Sequence, residues 1–259
     1  MPRLLLAIFI STIWVTGYFH SANAQTTDAK LKTDIGEVLK NNPDLIIEAL
    51  KGHEEELYDL LQTGLVKKNK SRIRNNRLAQ LKNPKTAALH PKRPVWGNPE
   101  GDISIIVFSD FQSATCSKAD KIIQQLLKKH PEINYRFRHN PLGLYKMSRP
   151  AALYYEALAL QSNEKAKRFN HLVLKNRLKI KKGGRNFLDK LALETGADLH
   201  RLHKDITSAK VNSTVDNDIR ESRKLGFTAS PVFLVNGVTI TGAAPLVEFE
   251  EVFKMIRQQ

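Results

Sequence analysis

Cys116 is the only cysteine among 259 residues, and it stands just where helical spacing begins (Ala119, Ile122, Ile123, Leu126, Leu127). A thiol in the first turn of a helix is a candidate nucleophile, because the aligned peptide dipoles and the nearby Lys118 and Lys121 favour the thiolate. The competing reading is an inert buried thiol that packs as a small hydrophobe. One cysteine excludes an intrachain disulfide, a cysteine-rich zinc site and a dithiol couple within one chain. Ser113 opens the same helix. Its hydroxyl can cap the first turn, anchor a thiol ligand such as glutathione, or act as an acyl-transfer nucleophile. No G-x-S-x-G surrounds it, and no histidine follows with an evident orienting carboxylate. His200 and His203 share a helical face but have no third ligand, and His90, His130, His139 and His171 show no metal spacing, so neither a metal nor a cofactor is expected.

These residues need a scaffold to position them. Residues 33 to 66 repeat apolar positions at three and four (Ile35, Val38, Leu39; Leu45, Ile46, Ala49, Leu50; Leu57, Leu60, Leu61), which predicts helices split at Asn42-Pro43. Asn42 is the expected N-cap of the second helix, with Pro43 at its first position. Gly64 is expected to close the pattern, the basic stretch through Lys85 to form a further helix, and the Pro91 to Pro94 region to end it at a domain boundary. Val95-Trp96 and Ile103 to Phe108 read as strands joined in a hairpin by the turn-rich 97–102. Helix 113–127 and the alternating Ile133 to Arg138 complete a β-α-β unit from Ile103 to Phe137. Residues 149–225 are largely helical: one helix to Leu160, another through Leu178 before Gly183-Gly184, a third stopped at Gly196, then Asp198 to Ile206 and Val211 to Leu225. Pro231 to Val235, a type I′ turn at Asn236-Gly237, Val238 to Thr241 and a helix from Pro245 to Ile256 close the chain.

The N-terminus has Arg3, an apolar run from Leu4 to Val15, and Ala22-Asn23-Ala24, an A-x-A cleavage site. The run falls short of the ~20 residues that span a bilayer, so the expectation is a cleaved export signal and a periplasmic mature protein. Formal charge is +15. Between Thr63 and Val95 there are ten lysines and arginines, and from Lys165 to Arg185 nine more, with no carboxylate in either run. Each run is either a solvated face or a site for an anionic partner. An exported chain meets anionic envelope surfaces rather than nucleic acid, so no nucleic-acid partner is expected.

The stretch Phe108-Ser109-Asp110-Phe111-Gln112-Ser113-Ala114-Thr115-Cys116 resembles the DsbA-family active site, where F-x-D-[FY] runs into C-x-x-C at a helix N-terminus. Ser230-Pro231-Val232-Phe233 with Asn236-Gly237 is similar to the family's cis-proline loop and its hairpin. Asn41-Asn42-Pro43-Asp44-Leu45-Ile46-Ile47-Glu48-Ala49-Leu50 is similar to the N-terminal helical segment of periplasmic ScsC-like relatives, where it supports oligomerisation. The resemblance covers nearly all of the mature chain. It implies an α/β thioredoxin fold with a helical insertion, organised as signal peptide 1–24, helical oligomerisation segment 25–66, basic linker 67–93 and thioredoxin domain 94–259 with its insertion at about 149–225.

The same resemblance locates a departure. The family's exposed, nucleophilic cysteine is Ser113 here, and Cys116 takes the recessed, resolving position. A serine hydroxyl is not meaningfully ionised near neutral pH and forms no disulfide, so the dithiol cycle cannot run on this chain. Ser230 and Pro231 are the implied peptide-binding pair. Three functions follow as expectations. The first is a binding, chaperone-like or scaffold protein, self-assembled through residues 33–66, that takes unfolded or extended peptide clients. The second is thiol-disulfide exchange, isomerisation or a glutathione-linked reaction through Cys116 alone. The third is an electrostatic binder of an anionic envelope surface.

Overall fold

The computed structural model describes residues 19–90 and 93–259, and of residues 19–27 the backbone alone. The apolar run of the expected export signal, Leu4 to Val15, lies outside the described residues. The chain divides into two units, the first ending at Lys70 and the second spanning Ser71–Gln259. Among the described residues no helix is long and apolar enough to cross a membrane.

Helix α1 (Phe19–Asn41) and helix α2 (Pro43–Leu50) meet at the expected break. Pro43 has no N–H to give and starts α2 well, but Asn42 does not cap it. Its side-chain amide points back and donates to the Val38 carbonyl at 2.9 Å, closing α1 instead. Helix α3 (Glu54–Lys82) runs straight through Gly64. A glycine costs a helix interior only about 1 kcal/mol against alanine, too little to stop a segment otherwise rich in leucine, lysine, arginine and glutamine. The further helix expected in the basic stretch through Lys85 is thus the continuation of α3, which ends at Lys82.

Beyond Lys70 several side chains of the basic stretch, part of the second unit, are fastened to the rest of it. Arg77 is buried and donates to Glu248 (2.6 Å) and Glu251 (3.4 Å). The Gln80 side-chain carbonyl accepts the Thr239 N–H at 2.7 Å. Lys85 donates through its ammonium to the Leu225 carbonyl (2.8 Å) and through its backbone to Gly237 (3.3 Å). Gly237, at φ +89, must be glycine for a second reason: a Cβ there would lie 2.3 Å from the Pro84 side chain. The division after Lys70 thus groups these residues with the second unit, because their long polar side chains find partners that no local pattern announces.

The second unit is built on a five-stranded sheet in the order β1-β3-β2-β4-β5: β1 (Val95–Gly97), β2 (Ile103–Ser109), β3 (Ile133–His139), β4 (Val232–Val235) and β5 (Val238–Thr241). Strands β2 and β3 are parallel, Ile105 opposite Tyr135, joined by helix α4 (Ala114–Lys129) as the β-α-β pattern requires. Strands β4 and β5 form the expected hairpin on Asn236 (φ 43) and Gly237. The expected β1–β2 hairpin does not form. Both edges of β2 are occupied, by β3 and antiparallel β4, and β1 pairs antiparallel with β3 instead, Trp96 opposite Tyr135. Trp96 packs on Tyr135 and Phe137 at centroid distances of 4.9 and 6.5 Å, and the 97–102 turn is tied to the start of β3 through Asn98 N–H to Ile133 O at 2.8 Å.

Between β3 and β4 lie α5 (Ser148–Gln161), α6 (Asn163–Lys175), α7 (Arg177–Glu194), α8 (Leu199–Asp205) and α9 (Ala209–Lys224); α10 (Leu246–Arg257) ends the fold. The second insertion helix, expected to continue through Leu178, stops at Lys175, where Asn176 turns its side-chain amide back to the Leu172 carbonyl at 2.9 Å. Helix α7 then bends at Gly184 (φ 58, ψ −139). One continuous apolar core joins sheet and insertion, with Phe111, Phe137, Tyr154, Tyr155, Phe169 and Leu188 among its members.

Inside that junction is a charged cluster. Arg93 donates to Glu156 of α5 and, at 2.6 Å, to Asp218 of α9. His139 Nε2 lies 2.8 Å from Glu156, and the His139 N–H donates to Asp218 at 2.9 Å. Burial alone raises the Glu156 carboxyl, but Arg93 and His139 overcome it and hold the group below its ordinary value. Replacing Arg93 by alanine takes from both buried carboxylates their shared cation and, among the described residues, leaves Asp218 only Arg138, at 3.7 Å, and Glu156 only His139. The expected outcome for Arg93→Ala is a loss of about 3–5 kcal/mol, read as a lowered urea midpoint against the parent chain.

Candidate functional site

Strand β2 delivers Ser109 to the edge of the core, and the turn Asp110-Phe111-Gln112 carries the chain into α4. Phe111 anchors that turn, buried and stacked on Phe137 at 5.0 Å. Asp110 is buried beneath it: its Oδ1 accepts the Gln112 N–H (2.8 Å) and the Ser148 hydroxyl (2.5 Å). Its Oδ2 has no partner among the described residues. Burial raises the Asp110 carboxyl above its ordinary value, and the hydrogen bonds from Ser148 and Gln112 only reduce the shift.

Ser113 is the N-cap of α4, extended at φ −73 and ψ 131, its oxygen accepting the Cys116 N–H at 3.4 Å. This is the capping role among the three open to it. Cys116 lies one turn in, 1% exposed, with its Sγ accepting the Asp110 N–H at 3.4 Å. Burial pushes its thiol above the ordinary value, against the opposing hydrogen bonds from Ser109, Asp110 and Ser113. Lys118 and Lys121, which the sequence reading placed in support of a thiolate, are exposed to water and do not reverse this. A residual cavity of about 10 Å³ touches Cys116, Leu174, Tyr135, Phe137 and Pro231, so the thiol abuts the proline loop with no space for a substrate.

That loop contains the cis Ser230–Pro231 bond. It is held by one residue absent from the sequence reading of the site, Asn140. The Asn140 N–H donates to Ser109 O at 2.8 Å, its side-chain amide donates to Ala229 O at 3.0 Å, and its carbonyl accepts the Ser230 hydroxyl at 2.9 Å. The Asn140-Pro141 pair was a legible turn signal, though nothing in it pointed to the loop ninety positions away. With its side chain turned inward, Ser230 leaves its main-chain N–H and C=O without a hydrogen-bond partner among the described residues. Ser113, Cys116 and Pro231 are therefore brought together, as the sequence implied, by a parallel β-α-β crossover and the antiparallel β2–β4 pairing.

The histidines fall elsewhere. His203 pairs with Asp189 (2.8 Å) and His171 with Asp120 (3.0 Å). His139, Glu156 and Asp218 do bring ligand-type atoms within 4.8 Å of one another, a grouping made by tertiary contact alone. Arg93 stands against both carboxylates, so the cation in that cluster is a guanidinium.

A mixed sheet with a helical insertion between β-α-β and β-β-α, and a helix N-terminus facing a cis-proline loop, defines a thioredoxin-like fold of the disulfide-exchange type. The family model described as thioredoxin matches residues 89–255, and the chain belongs to that family. A search of curated protein sequences finds no match. Among solved structures, the chain is similar to a thioredoxin-like oxidoreductase from Silicibacter pomeroyi DSS-3, with a TM-score of 0.58 at 24% identity over 66% of this chain and 95% of that one. It is similar to the thiol-disulfide exchange protein alpha-DsbA2 from Wolbachia pipientis, with a TM-score of 0.58 at 20% identity over 75% and 98% of the two chains. It is also similar to Proteus mirabilis ScsC in a transitional conformation, with a TM-score of 0.55 at 15% identity over 90% and 97%.

The buried acid under this site makes a pH-dependent prediction. A raised folded-state pKa contributes stability below the unfolded value that is lost as pH rises through the folded value. Asp110→Asn keeps an acceptor for Gln112 and Ser148 and removes the ionisation. The expected result is a higher urea midpoint than the parent at pH 7, with the two curves converging as pH falls below the ordinary aspartate range.

Proposed function

We propose that this thioredoxin-family chain is an exported binding protein, chaperone-like or scaffolding, that does not run the dithiol cycle. The observation that carries this is Cys116: buried, its thiol raised, and faced across the first helical turn by a serine that caps the helix. A thiol protonated at neutral pH and closed off from solvent is a poor nucleophile, so the single-thiol enzyme reading loses the feature it needs. What remains at the site is the unpaired main chain of Ser230, with one donor and one acceptor for an added extended strand. Ser230 and Pro231 are read as a peptide-binding edge, and Ser113 as the cap that keeps its wall in place.

The N-terminal helices supply the second half of the proposal. Ile35, Leu39, Leu45, Ile46, Leu61 and Leu65 are all exposed in the single chain, Leu61 at 60%. Exposed apolar positions repeating at helical spacing call for a partner, and a second copy of residues 33–66 presents the matching stripe. The A-x-A motif at Ala22 to Ala24 supports export to the periplasm.

Two measurements test these readings. Incubated with oxidised glutathione near neutral pH, the folded protein is expected to gain no glutathione on Cys116 by intact mass while the unfolded chain is modified. Fast modification of the folded protein establishes a single-thiol activity instead. In the same assay Ser113→Cys, whose side chain would stand within reach of Cys116, is expected to lose two hydrogens and form the intrachain disulfide. For assembly, Leu61→Glu with Leu65→Glu is expected to convert the oligomer to monomer by light scattering, and an unchanged mass removes that role from the segment.

A further inference from the structure

Exposed lysines stand on three of the segments that surround the Ser230 edge. Helix α4 packs along α6, the Ser117 hydroxyl donating to the Leu174 carbonyl at 2.8 Å, and Leu174 touches the same small cavity as Cys116 and Pro231. The α6–α7 corner that begins at Lys175 is therefore a wall of the site. Lys175 and Lys179 on that corner, Lys118 and Lys121 on α4, and Lys146 on the loop that follows Asn140 are all exposed. Of the nine bases from Lys165 to Arg185, Lys167 alone has a carboxylate within 4.0 Å among the described residues, that of Glu164.

The bordering segments hold almost no acid. Residues 140–155, 165–185 and 226–247 contain no aspartate or glutamate, and residues 112–129 contain one, Asp120. Asp120 is buried and paired with His171, and Asp110 is buried beneath the turn. The N-terminal dipole of α4 has the same sign. The apolar side chains exposed beside these bases, Leu142, Leu144 and Leu178, give an extended chain something to rest on.

We infer that the client of this edge is an acidic extended peptide, its carboxylates held by Lys175, Lys179 and their neighbours and its main chain paired with Ser230. This rests on the peptide-binding reading proposed above and names the class of peptide. A peptide fits better than an anionic lipid surface, because the free N–H and C=O of Ser230 match the alternating acceptor and donor of a polypeptide and have no counterpart in a row of headgroups.

The test uses the full mature chain and three labelled extended peptides of one length, acidic, neutral and basic, followed by fluorescence anisotropy at low and physiological salt. The acidic peptide is expected to bind about tenfold tighter than the neutral one at low salt, with the preference shrinking as screening sets in. Lys175→Glu with Lys179→Glu is expected to remove that preference. Lys128→Glu with Lys254→Glu carries the same charge change at Lys128, near the opposite end of the α4 cylinder, about 20 Å away, and on α10, and is expected to keep the preference. Equal binding of acidic and neutral peptides overturns the charge selection while leaving the peptide edge intact, as does an equal loss in both double variants. Binding of no peptide at all overturns the peptide reading itself, and binding only to phosphatidylglycerol vesicles reassigns the basic face to a membrane.

Discussion

Two buried carboxylates, Glu156 and Asp218, sit where the sheet, the helical insertion and the incoming basic strap meet, and Arg93 is the cation that makes their burial tolerable. An isolated carboxylate in an apolar interior is far too costly to keep ionised, so each element that contributes a charge must hold its place. Arg93 itself stays ionised: burial works against its charge, and the two carboxylates more than offset it. Arg138, buried beside them, is pushed down to about 10 by desolvation and by its like-charged neighbour Arg93. The cluster therefore reads as a set of mutually dependent charges, with the insertion helices α5 and α9 clamped to the end of β3.

From there the constraint runs into the site. Asp218 accepts the His139 N–H and so fixes the last residue of β3. The next residue, Asn140, ties Ser109 on one side to Ala229 and Ser230 on the other. Together with the β2–β4 pairing, Asn140 thus ties the end of β2 to the proline loop, and the Ser230 main-chain N–H and C=O are left without a hydrogen-bond partner among the described residues. Chemistry at this mouth is restrained by the same packing. The aromatic set Phe111, Phe137 and Tyr155 that seats the turn before α4 also belongs to the core that buries Cys116, so a well-packed turn and a protonated thiol come together.

The strand and helix pattern of the thioredoxin domain was legible because each of its signals is local. The β-α-β unit, the Asn236-Gly237 turn, the break at Pro43 and the capping serine all depend on residues within a few positions of one another. The departures had two causes, a contact distant in sequence or a stronger local preference than the one first weighed. Strand β1 belongs beside β3, since both edges of β2 are taken. Gly64 lies inside a helix because its cost is small beside the propensities around it. Asn42 and Asn176 turn their amides back on preceding carbonyls. Among the ten bases between Thr63 and Val95, Arg77, Lys85 and Arg93 are structural fasteners, and only their acceptors, on α10, after α9 and within the insertion, reveal it.

By itself the sequence determined the redox limit of this protein: with one cysteine and a serine three residues before it, no folding of the chain supplies an intrachain dithiol. It also determined the order of elements and the acid-free basic run from Lys165 to Arg185, since composition does not depend on packing. Only the tertiary structure decided whether Cys116 is reachable, which carboxylates the basic strap satisfies, and that the Ser230 main chain is left unpaired. Burial and hydrogen-bond satisfaction are properties of atoms brought together from across the chain, and spacing along one strand or helix carries no information about the surface that will close over it.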